Sequence, residues 1–239
     1  MEYFRDPQNQ IQADFAYRLG MIATQYRTCR APAGEDFSVT LDICILQSLL
    51  TNCMELLRSM KKNERKAYFT ADIGSGLVWG LRQGMIEVNT FNDGTPTSEV
   101  VLNRLRNALS HPTVMNLDVH FPSSGYSTIR DGSDSIHQYC FVNSPDIRDS
   151  GHPKRYPQRE AAERGLERAR GDGGMPREVG VITYDGQFCF GLGDKPFARI
   201  FKIRLTPEEI HTLVIGLSNH LAQSKEKDWD GVTIARLVA

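Results

Sequence analysis

The stretch Arg104–Pro112, RLRNALSHP, closes a leucine-striped segment on side chains that could do chemistry. An arginine, Arg106, is followed after four residues by a histidine, His111. Read as a helix at about 100° per residue, Val101, Leu102, Leu105, Ala108 and Leu109 share one face. Asn103, Arg106, Asn107, Ser110 and His111 then occupy the opposite arc. Arg106 and His111 stand about 140° apart and about 7.5 Å along the axis, whereas Asn107 and His111, four apart, are neighbours. Pro112 disfavours helical geometry at the residue before it, so the helix is expected to stop at His111. A helix C-terminus favours a protonated imidazole, which suits acid and base work near neutral pH. The same dipole also makes cations common at helix ends with no further role. The surrounding elements have to decide between the two.

Apolar residues Ile11, Phe15, Leu19, Ile22 and Tyr26 recur at spacings of three and four and predict a helix over 8–30 with that stripe inward. Ala31, Pro32 and Gly34 end it. A second helix is predicted from Ser38 to about Asn63, apolar around most of its circumference, with the basic patch Lys61, Lys62, Arg65 and Lys66 at its end. A third is predicted from Tyr68 to Met85, where Gly76, Gly80 and Gly84 stand four apart. Those glycines read as points of close packing, because the segment lacks the lysine and hydroxyl of a P-loop. After the turn signal Asn92–Gly94, Thr95 and Pro96 supply a cap and a first-turn proline for the fourth helix, the one that carries RLRNALSHP. The expectation is a mainly α fold, a four-helix bundle over residues 1–115.

Beyond it, over 116–239, the pattern turns to strands at Ser135–Asn143, Glu178–Asp185, Gln187–Leu192 and Phe197–Leu205, a small antiparallel sheet with a turn at Asp185–Gln187. The Arg-, Pro- and Gly-rich segment of about 144–178 reads as a mobile charged loop around one short helix. A capping box, Thr206 with Glu209, opens a last amphipathic helix over 206–223. The chain is then α+β overall, with its helical bundle first.

Arginine, a polar residue, three more residues and histidine, closing the last helix of an expected four-helix bundle, resembles the HEPN superfamily and its Arg-x4-6-His motif. It looks closest to a bacterial branch of plasmid-borne, defence-linked proteins, over roughly Met1–Met115. What the resemblance implies is a metal-independent endoribonuclease that acts as a homodimer, as a toxin or antiviral effector. The family's arginine and histidine correspond to Arg106 and His111, and the polar residue after the arginine to Asn107. His111 would then abstract the ribose 2′-OH proton or protonate the leaving 5′-oxygen. Arg106 would hold the phosphate and Asn107 would orient His111 or the phosphate. Products would carry a 2′,3′-cyclic phosphate and a 5′-hydroxyl. The implied partners are RNA, a second copy of the chain and an antitoxin or regulatory protein. The tyrosine that is modified in one toxin branch is replaced here by Thr113, which argues against an antitoxin of that kind. Glu55 is a candidate for the family's acidic helper.

Lys and Arg total 28 against 29 Asp and Glu among 239 residues, so any RNA contact must be local. Arg104 and Ser110 on the fourth helix, and Arg155 and Arg159 near Tyr156 in the charged loop, are the candidates. No cofactor is expected. The six histidines show no metal-ligand spacing and no G-x-S-x-G elbow is present. Cys29, Cys44, Cys53, Cys140 and Cys189 form no C-x-x-C pair and read as reduced thiols of a cytoplasmic protein. The N-terminus has no signal-peptide character, and Asp42, Gln47, Asn52 and Glu55 interrupt the longest apolar stretch, so no membrane association is expected. The competing function is a non-catalytic helical module for dimerisation or partner binding, in which Arg106 and His111 only stabilise a helix end.

Overall fold

A computed structural model of the chain describes residues 7–29, 37–52, 71–73, 79–91, 94–110, 122–130, 136–148, 150–171 and 174–223. It shows five α-helices and seven strands in two antiparallel sheets among these residues, an α+β chain, not the mainly α four-helix bundle expected. Two compact units interleave along the sequence: one takes 1–82, 97–102 and 205–239, the other 83–96 and 103–204.

The first unit is built on three mutually packed helices, α1 (Pro7–Thr28), α2 (Ser38–Asn52) and, from the far end of the chain, α5 (Pro207–Gln223). Helix α5 begins as its capping box requires: the Glu209 N–H donates to Thr206 Oγ1 at 3.2 Å, and the Thr206 N–H donates to Glu209 Oε2 at 2.9 Å. Its inward residues are Ile210, Leu213, Val214, Leu217 and Leu221, which meet the leucine and isoleucine side chains of α2 and the narrow face of α1.

Helix α1 corrects the sequence reading. Its buried face is Ala13, Ala16, Gly20 and Ala23, while Phe15 and Ile22, expected in the core, are 37% and 45% exposed. The segment carries two stripes of helical period, one large and one small. The small one wins because it lets α5 come close: a Cβ placed on Gly20 would lie 2.9 Å from the Ser218 Cβ.

The predicted third helix is also corrected. Residues 68–70 and 74–78 lie outside the described residues, but the rest of Tyr68–Met85 is not α-helical. Asp72 forms an isolated bridge with Thr97, and Trp79 and Gly80 have φ of 50° and 80°, which a right-handed helix cannot accommodate. A 3-10 turn at Gln83–Met85 then leads into a strand, β1 (Ile86–Asn89). Gly80 does mark a close approach, since a Cβ there would lie 2.8 Å from Thr212 Cγ2, whereas Gly84 has open space.

The second unit holds a four-stranded sheet in the order β1, β7 (Phe201–Leu205), β3 (Ile136–Asn143), β2 (Gly125–Arg130). Its core residues include Cys140, Phe141, Val142, Phe201 and Ile203. Strands β1 and β2 were not anticipated. A separate three-stranded sheet joins β4 (Val179–Tyr184), β5 (Gln187–Leu192) and the short β6 (Lys195–Pro196). The expected turn between β4 and β5 is present, with Asp185 and Gly186 at φ of 51° and 73°, as a tight hairpin turn demands. Helix α4 (Arg159–Gly171) lies against β4 and β5, and Leu166, Ala169, Met175, Val179 and Phe190 form a cluster between them.

Helix α3 (Ser98–Ser110) contributes to both units, residues 98–102 to the helical one and 103–110 to the other. Its cap is Thr97, whose Oγ1 accepts the Val100 N–H at 3.5 Å, two residues later than Thr95.

Candidate functional site

Val101, Leu102, Leu105, Ala108 and Leu109 are all buried along α3, so the wheel drawn from the sequence describes the helix correctly. Asn103, Arg104, Arg106 and Asn107 are half-buried, and Ser110, the last helical residue, is exposed. His111 follows directly in the chain and lies outside the described residues, as does Glu55.

The arginines on this helix have different surroundings. Arg104 is taken up by the fold: its guanidinium lies 3.5 Å from the centre of the buried Phe91 ring, and Nη1 donates to the buried Asn143 Oδ1 at 3.2 Å. Both contacts tie the C-terminal half of α3 into the sheet unit. The side chains of Arg106 and Asn107, by contrast, make no hydrogen bond or ion pair among the described residues. Their polar groups are left over once the helix has satisfied its packing.

The residues suggested for RNA contact in the second half have structural partners. Arg155 pairs with Asp185 at 2.9 Å and lies near the Tyr184 ring, and Arg159 pairs with Glu163 one turn along α4 at 3.0 Å. Arg170 donates to Glu167 and to the Val179 carbonyl. Tyr156, next to Arg155, packs against Phe190 with ring centres 5.7 Å apart, and its backbone bridges Phe188. Burial pushes its hydroxyl above the usual tyrosine range, with Asp146 adding to the effect. The segment at 146–154 is knitted by backbone hydrogen bonds from Arg148 to His152 and from Lys154 to Asp146.

Two charged clusters escaped the sequence reading. In the sheet unit, Arg199 and Asp146 are both buried and pair through two bonds of 2.8 and 3.1 Å. Asp146 also accepts the Arg199 N–H, and Arg199 Nη1 donates to the Ala169 carbonyl, so the pair is surrounded by satisfied polar groups. In the helical unit, Asp42 of α2 is 1% exposed and lies between two basic side chains. Arg27 Nη2, on the last turn of α1, donates to Asp42 Oδ2 at 3.0 Å, and His211 Nδ1, on α5, lies 3.1 Å from the same oxygen. The only sequence signal was a carboxylate inside an otherwise apolar helix.

The described cysteines, Cys29, Cys44, Cys140 and Cys189, are free thiols, and burial pushes Cys140 and Cys189 above the ordinary range, away from nucleophilic use. No helix among the described residues is long and apolar enough to cross a membrane. Comparison of the chain with protein-family models, curated proteins and solved structures gives no match.

Proposed function

We propose that the protein is a metal-independent endoribonuclease acting as a homodimer, with Arg106 on the scissile phosphate, His111 as general acid or base and Asn107 orienting them. The four-helix frame is gone, so this reading rests on the motif and on one observation: Arg106 and Asn107 keep half-open polar groups that the described fold does not use, while Arg104, two residues away, is fully engaged. A guanidinium that only served packing would be expected to find a partner as Arg104 does. A second copy brought to the end of α3 would supply the other half of a composite site.

The test is RNA cleavage by the purified protein in EDTA, beside Arg106→Ala and His111→Ala. Each alanine should leave folding intact and lower cleavage about a hundredfold or more, with 2′,3′-cyclic phosphate ends from the wild type. Cleavage that is absent in the wild type, or unchanged in both variants, refutes the assignment.

A second reading, a partner-binding module without catalysis, is favoured by the exposed Phe15 and Ile22 on α1. Under it both variants would retain partner binding, and cleavage would be absent throughout.

A further inference from the structure

The Arg27–Asp42–His211 cluster has an outer side. Arg27 is 29% exposed and His211 22%, against 1% for the carboxylate behind them. His211 presents Nδ1 to Asp42, which turns Nε2, at the other side of the ring, away from it. That Nε2 is neither buried nor hydrogen-bonded among the described residues. Arg27 is similar: Nη2 is held by Asp42 and by the Pro207 carbonyl at 3.4 Å, Nε is buried, and Nη1 is neither buried nor bonded among the described residues. The arrangement has three helices converge so that one buried carboxylate orients a guanidinium and an imidazole, each with a polar edge remaining toward water.

We propose that Arg27 and His211 form a binding site for a phosphate group, with Asp42 as the residue that positions both. A guanidinium offers a planar fork matched to phosphate oxygens, and an oriented imidazole adds a second donor once it carries a proton. Asp42 neutralises much of the cluster's own charge, so the resting protein does not repel itself, and its two bonds fix the side chains before a ligand arrives. Fixing them in advance removes the ordering cost that a flexible surface arginine would bear. Two carboxylates share that helix turn: Glu209 is held by Thr206 and Arg82, and Glu208, three residues before His211, is exposed. This site stands independently of the reading of α3, and its residues belong to the helical unit alone.

The probe is inorganic phosphate, titrated into the full chain at constant ionic strength with chloride as the balancing ion, and followed by the imidazole NMR signals. The His211 signals are identified by their loss in His211→Gln. Expected is a saturable shift of His211, distinct from those of the other histidines. In Arg27→Lys, which keeps the charge but loses the fork, the half-saturating concentration should rise about tenfold. Circular dichroism confirms that each variant folds. No saturable shift in the wild type, or an Arg27→Lys titration indistinguishable from it, overturns the proposal and leaves the cluster as a staple between three helices.

Discussion

Acid should weaken the helical unit through His220, and by an amount that follows from its surroundings. His220 lies on α5 with its ring centre 5.3 Å from that of Trp79, and burial pulls its pKa from 6.5 down to about 4. Between those values the unfolded chain binds a proton that the folded chain refuses. Stability is therefore fully present above pH 6.5 and is lost as the pH falls toward 4. At about 1.4 kcal/mol per pKa unit, the full loss is about 3 kcal/mol, of which about 2 kcal/mol has gone by pH 5. With a urea slope of about 2 kcal/mol per molar, the unfolding midpoint should drop by about 1 M between pH 8 and pH 5 from this group alone. His220→Gln removes the titration and keeps a neutral polar side chain, so the comparison of wild type and variant cancels the carboxylates common to both. The variant should lose about 1 M less than the wild type over that range. Equal losses in the two proteins, or an NMR titration of His220 near 6.5, would refute the reasoning.

Arg104 and Arg106 should separate in thermal unfolding. Arg104→Ala gives up the contact with Phe91 and uncovers the Asn143 amide, a cost of about 2 kcal/mol, whereas Arg106→Ala should stay within about 0.5 kcal/mol. Similar costs would mean that Arg106 has structural work too. Asp146→Ala leaves the Arg199 charge buried and should cost about 3–5 kcal/mol in urea unfolding followed by circular dichroism. The double variant Asp146→Leu, Arg199→Met should recover much of that loss; a double variant no better than the single one would show that the pair is needed for more than charge balance.

What the sequence made legible was local. The capping box at Thr206 and Glu209 and the Asp185–Gly186 turn depend on residues within a few positions of one another, and both stand where they were expected. The wheel of α3 was legible for the same reason. The orientation of α1 was not, because Phe15 with Ile22 and Ala16 with Gly20 offer equally periodic stripes, and the choice belongs to Ser218 on a helix nearly two hundred residues away. The third expected helix had apolar content enough, but its described end is turned by positive φ at Trp79 and Gly80, where Gly80 and Gly216 give way to side chains of distant segments. Of the proposed α3 site, the residue types and their arc could be read; that Arg104 would be consumed by Phe91 and Asn143 could not. Arg27, Asp42 and His211 are separated by 15 and 169 positions and share no spacing rule at all.

The return of α5 to α1 and α2 imposes an order on synthesis. On the ribosome the first two helices emerge long before the segment that covers them, and Leu46, Leu49 and Leu50 must wait through the making of the whole sheet unit for Leu213, Val214 and Leu217. The hairpins and α4 of the sheet unit need only neighbouring residues and can close first, so until α5 is made the nascent chain carries α1 and α2 without the helix that packs on both. The interval in which this protein is vulnerable to association with other chains is thus set by the length of chain that separates α2 from α5.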